Sequence, residues 1–281
     1  MNALKLLPAA LLALVLASPA AAFGRLGGDA SKILDFGKRA AEASEEITEA
    51  EEIELGEGIA AQLLGAAPLV NDPGLQRYVN RVGLWLALQS ERPNLPWRFG
   101  VMDSDDVNAF ALPGGIVLIT RGLYERLRDE SELAGVLGHE ISHVVAKDQV
   151  KAIKKAMGRE WTVSVAGELT QRSDNELTRR FGEKAFKVGT EVLVKGLDKQ
   201  DEYDADLAGM VLAARGGYNP FGLVGVLQTL DATRPEDRNV ALLFSTHPTA
   251  ASRLERLDAS VGTQLDAYAD SGRSGKLYGR P

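Results

Sequence analysis

Leu133-Ala134-Gly135-Val136-Leu137-Gly138-His139-Glu140-Ile141-Ser142-His143-Val144-Val145 is an apolar run interrupted by an HExxH pattern, and the rest of the chain is read outward from it. Two imidazoles four residues apart lie one above the other on a helix face, so both can bind one metal ion. Glu140, beside the first imidazole, can reach a water on that metal. Apolar residues at 133, 136, 137, 141, 144 and 145 nearly surround the helix, so it is expected to be buried, with its polar trio partnered. The chain has 3 His and two stand here. HExxH also arises by chance, so its context has to support it.

A metal on this helix needs a third ligand. The metzincin pattern requires Gly at 146 and His at 149, where this chain has Ala146 and Gln149, so that class is excluded. The other common solution is a carboxylate from a later helix, with a fourth position open to water. Glu202 and Asp206 lie one turn apart at a helix start. The first could ligate the metal while the second accepts the far N–H of a ligand imidazole. Taken alone, the pair reads equally as a solvated acidic first turn.

Upstream, a loop with Pro93 and Pro96 leads to Trp97–Met102, whose alternation suits a strand with one buried face. Val107–Leu112, the turn Pro113-Gly114-Gly115 and the run Ile116–Thr120 complete an expected small antiparallel sheet of three or four strands. At least one edge would stay unpaired and could take an extended peptide by strand addition.

The flanks read as helical. Residues 31–64 carry eight Glu between Glu42 and Glu57 and no basic residue in that interval, which is expected to be a solvated face. Asp72-Pro73 starts a helix with apolar face Leu75, Tyr78, Val79, Val82 and Leu86. The basic stretch Lys147–Arg159 reads as a solvated face, with contact to anionic lipid as the alternative. Residues 160–198 continue as amphipathic helix, and those from 151 on are candidates to cover the cleft. Gly216-Gly217 ends the Glu202 helix, Asn219-Pro220 starts the next, and Ser252–Leu257 is a last short helix. Residues 263–281 are expected to be a disordered tail.

HExxH, Glu202-Tyr203-Asp204-Ala205-Asp206 (ExxAD), Gly216–Pro220, and Thr246-His247-Pro248 with Arg253 occur in that order. So do Asn108–Gly115 and Thr120–Leu123 ahead of them. Together they resemble the zinc endopeptidases of the HtpX, BepA and CAAX-prenyl-peptidase type over roughly residues 45–258. The resemblance implies a mainly helical α+β, zincin-like domain over residues 23–262. It implies one zinc ion held by His139, His143 and Glu202, with Glu140 as general base and Asp206 behind the ligands. His247 would stand near the zinc, as oxyanion group or as occupant of the open position, and Arg253 would orient its loop. Asn108, Ala109 and Phe110 would hold extended substrate. The transmembrane helices of HtpX and the helical repeats of BepA have no counterpart in the sequence.

Composition narrows the setting. With 281 residues and net charge -7, a sizeable core is available and a nucleic-acid partner is disfavoured. Lys5, the apolar run Leu6–Leu16 and Ala20-Ala21-Ala22 read as a secretory signal over residues 1–22, too short to span a bilayer. The absence of Cys excludes a lipidated N-terminal Cys and disulfides. The expectation is a periplasmic zinc endopeptidase that cleaves unfolded or misassembled envelope proteins. The competing expectation is a chaperone-like binding protein whose zinc is structural or self-inhibited.

Overall fold

The turn Pro113-Gly114-Gly115 sets the sheet. Gly114 (φ 74°) and Gly115 (φ 99°) take left-handed backbone that favours glycine, so the chain reverses within three residues. In this computed structural model, which describes residues 47–158, 182–233, 238–263, 265–269 and 272–279, the turn joins β2 (Ala109–Leu112) to β3 (Ile116–Thr120) in antiparallel register, Leu112 opposite Ile116. β1 (Arg98–Met102) lies on the other side of β3 and parallel to it, giving the order β1-β3-β2. The sheet is therefore mixed, where a wholly antiparallel one was expected. The chain does reverse between β1 and β2, but residues 103–108 leave a strand's width between them, which β3 fills.

Both faces of the sheet are covered, so the single buried face expected for Trp97–Met102 is a second correction. Phe99, Val101, Ala111, Val117 and Ile119 join the core shared with α2 (Pro73–Ala87) and α4 (Glu130–Ala146). Met102, Phe110, Leu112, Ile116 and Leu118 pack on the opposite side with α1 (Glu49–Ala66), α5 (Asp148–Met157) and α6 (Gly182–Lys195). The remaining α-helices among the described residues are α3 (Arg121–Tyr124), α7 (Lys199–Arg215), α8 (Gly222–Asp231), α9 (Ala241–Thr246), α10 (Ala250–Val261) and α11 (Asp266–Ala269). The architecture is α+β and mainly helical.

Local chemistry explains the helix starts. Thr48 and Glu51 form a reciprocal capping box on α1, and Asp72 accepts the Gly74 and Leu75 N–H groups on α2. The acidic face of α1 is not uniformly solvated. Glu52 is fully buried, pairs with Arg92 Nη1 at 2.8 Å and accepts the Gly114 N–H at 3.1 Å, which ties α1 to the hairpin turn. The part of the expected 31–64 helix before residue 47, the signal segment and residues 159–181 lie outside the described residues.

Residues 272–279 differ from the expected disordered tail. The Glu130 N–H donates to Gly275 O at 2.8 Å, the Ser131 hydroxyl donates to Arg273 O at 2.7 Å, Arg273 bridges Tyr218, and Leu277 is buried. The first turn of α4 has N–H groups without helical partners, and this segment supplies a carbonyl for one of them.

Candidate metal centre

α4 and α7 cross at two glycines. A Cβ on Gly138 would stand 2.8 Å from Gly209 O, and one on Gly209 would stand 2.6 Å from the His139 amide nitrogen. Only glycine allows this approach. Gly209, Asp206 and Glu202 recur at seven, four and zero residues along α7, so they share one face. The crossing therefore presses both carboxylates against the two imidazoles of α4.

His139 Nδ1 donates to Asp206 Oδ1 at 2.9 Å, and His143 Nδ1 donates to Asp148 Oδ2 at 3.0 Å. A carboxylate only accepts, so each Nδ1 carries the proton and each Nε2 presents a lone pair. The two Nε2 atoms face each other at 3.1 Å. They can be satisfied by a shared proton or by a cation between them. Glu202 decides between these, because it adds a third ligand atom that a shared proton cannot serve. Its oxygens lie 3.7 Å from His139 Nε2 and 3.6 Å from His143 Nε2, and its buried Oε2 has no hydrogen-bond partner. Tetrahedral ligation at zinc bond lengths places ligand atoms about 3.3 Å apart. The three residues fit a metal of that size.

His247 Nε2 stands 3.7 Å from Glu202 Oε2, at the same spacing, while Thr246 Oγ1 holds its Nδ1 at 2.8 Å. Arg253, itself buried, spans both oxygens of Asp206, with its Nε 2.9 Å from Oδ2. Its main chain also donates to Thr249 O at 3.1 Å, two residues beyond His247. Glu140 is buried beside the site, and β2 passes next to it. Asn108, immediately before β2, is buried with both side-chain amide atoms unpartnered.

Burial dominates the electrostatics. It raises Glu202 to about 7, raises Glu140, lowers His139 to about 4 and holds His247 well below the ordinary imidazole value. Burial also works against charge on Asp206 and on protonated His143. The Arg253 guanidinium outweighs it and drives Asp206 far down, while Asp148 and Glu202 outweigh it and raise His143.

A profile of peptidase family M48 matches residues 73–261. The chain belongs to peptidase family M48. It is 31% identical over 208 residues to the beta-barrel assembly-enhancing protease of Escherichia coli, covering 73% of this chain and 42% of that protein. It is 25% identical to the mitochondrial metalloendopeptidase OMA1 of Schizosaccharomyces pombe over 64% of this chain and 51% of that one. The metalloprotease LoiP of Escherichia coli is 26% identical over 58% and 62% respectively. The chain thus spans less than half the length of the assembly-enhancing proteases it matches.

Within this M48 domain the structure brings together His139, Glu140, His143, Glu202, Asp206, His247 and Arg253 from three helices (α4, α7 and α10) and the loop after α9. Ala109 and Phe110 line a cleft together with Glu140, His247, and Val192, Leu193 and Leu197 at and just past the end of α6. Beyond His139 and Glu140 an apolar recess is lined by Val136, Leu223, Val226, Leu227 and Leu230. Sequence reasoning missed Asp148, which sits in a stretch read only as basic. The one available signal was a carboxylate just past the end of the HExxH helix. It also missed the Gly138–Gly209 contact, although a Gly seven residues after Glu202 falls on the ligand face.

Proposed function

We propose that this chain is a zinc-dependent endopeptidase. The supporting observation is the convergence of His139 Nε2, His143 Nε2 and an otherwise unpartnered Glu202 oxygen, with Glu140 buried alongside. The chemistry a zinc ion supplies when bound is acidification of a water and polarisation of the scissile carbonyl. Glu140 would take a proton from the attacking water as the water's oxygen adds to the carbonyl carbon. It then delivers the proton to the amine nitrogen as the C–N bond breaks. Asp206 and Asp148 hold the two imidazoles in the ligating tautomer.

Extended polypeptide lies along β2, whose edge recognises backbone without demanding a sequence, and Asn108 offers its free amide to it. The Ala111 backbone N–H reaches Glu140, so this strand edge and the general base meet. His247, whose Nε2 stands 3.7 Å from Glu202 Oε2, would serve either as a further ligand at rest, giving way to substrate, or as a group that stabilises the oxyanion. The name of the assembly-enhancing relatives favours unfolded or misassembled cell-envelope proteins as substrates, and the sequence of residues 1–22 favours export to the periplasm.

The test is casein hydrolysis and zinc content of the wild-type protein beside Glu140→Gln. Both are expected to hold one zinc, and only the wild type to cleave. Equal behaviour with zinc bound would overturn the peptidase reading in favour of a binding protein with a structural zinc.

A further inference from the structure

Eight large apolar side chains stand exposed among the described residues, and four of them, Leu84, Trp85, Leu88 and Tyr278, lie on or beside α2. Leu88 lies one turn beyond the neighbouring Leu84 and Trp85, and Arg77 and Arg81 extend the same stripe toward the start of the helix. Tyr278 stacks on Tyr78 with ring centroids 6.0 Å apart, and the Arg81 guanidinium lies 5.9 Å from the Tyr78 ring. Arg273 lies 6.0 Å from the Trp85 ring. The indole N–H of Trp85 donates to Gly216 O at 2.8 Å, so its polar edge is satisfied and the ring is what faces outward.

Charge identifies the occupant. The chain has net charge -7, yet α2 carries two arginines and no acidic residue. A basic stripe on an acidic protein orients it toward an anionic surface. Leucines with Trp and Tyr are the side chains that favour the boundary between headgroups and acyl chains, and arginines beside them can extend to phosphate. The stretch Lys147–Arg159 is less suited. Lys147 stands 3.7 Å from Glu52, Lys151 3.0 Å from Asp148 and Lys155 3.2 Å from Asp198, so these cations are spent on intramolecular pairs. We propose that the exposed face of α2, with Tyr278 and Arg273 at its side, docks this peptidase domain on an anionic lipid bilayer.

The experiment is co-sedimentation of the full exported chain with phosphatidylcholine vesicles, with and without phosphatidylglycerol. Two variants are compared with wild type, Leu84→Asp/Leu88→Asp and Arg77→Gln/Arg81→Gln. Wild type is expected to sediment only with the phosphatidylglycerol vesicles. Each variant is expected to lose at least about tenfold in apparent affinity, and raised salt to weaken the wild type further. Zinc content and casein hydrolysis without vesicles are expected to stay unchanged, because none of these residues belongs to the site. Absence of wild-type sedimentation, or sedimentation of both variants equal to that of wild type, overturns the proposal. So does a change in oligomeric state of the leucine variant without vesicle binding, which would make the face an interface between copies.

Discussion

Gly138 and Gly209 meet backbone to backbone, and this contact sets how near Glu202 comes to the two imidazoles of α4. A methyl on Gly209 would need α7 to move, because the obstructing atoms belong to the main chain around His139. Gly209→Ala is therefore expected to lower stability by about 1–3 kcal/mol and to weaken metal binding together. Gly65→Ala is the control. That residue is exposed in the last turn of α1 with nothing near its absent Cβ, so the change should be neutral or stabilise by up to about 1 kcal/mol. Thermal midpoints and zinc content of the two variants check this, and equal effects would remove the special role of the crossing.

Much of the site was legible because it is local. His139 with His143, and Glu202 with Asp206, are four-residue pairs whose geometry follows from helix periodicity. The burial of α4 follows from its nearly all-round apolar pattern. What was hidden depends on distant or non-periodic partners. The parallel pairing of β1 with β3 leaves no trace in either strand's alternation. Glu52 looks like any solvated acid until Arg92 and the Gly114 N–H reach it. Asp148 faces His143 because Lys147 adopts φ 59°, a left-handed turn that no residue type there announces. Residues 272–279 are held largely through main-chain groups, which composition does not record.

Asp148 should set the metal affinity through His143. Asp148→Ala removes the acceptor for Nδ1–H, and zinc affinity is expected to fall about 10- to 100-fold. Asp148→Asn keeps an acceptor oxygen and should restore part of the loss. Competition against a metal chelator measures both. Unchanged affinity in the Ala variant would mean that Asp148 serves only its ion pair with Lys151.

Arg253 and Asp206 form a buried pair, so removing one partner should cost more than the pair contributes. Arg253→Ala leaves an uncompensated carboxylate in the interior and is expected to destabilise by about 3–5 kcal/mol. The pH dependence has a definite sign. Asp206 has a depressed folded-state value, so its contribution is present above the ordinary carboxylate range and is lost as pH falls through the folded value. The unfolding free energy of wild type minus that of Asp206→Asn should therefore be constant near neutrality and shrink below about pH 4. Denaturant titrations across that range check it, and a difference independent of pH would mean that Asp206 is not held charged by Arg253.

His247 offers the sharpest division between a ligand and an oxyanion group. Its Nε2 lies at ligand spacing from Glu202, and burial keeps the ring neutral, as ligation requires and as stabilising an oxyanion by charge does not. If it holds the fourth position at rest, His247→Ala should release zinc faster while raising peptide turnover, since substrate no longer displaces a side chain. Thr246→Val, which removes the hydroxyl beside Nδ1, should move both quantities the same way by less. Zinc release to a chromophoric chelator and hydrolysis of casein give the two readouts. Loss of turnover with zinc release unchanged would instead assign His247 to the transition state, because only there would its removal be felt.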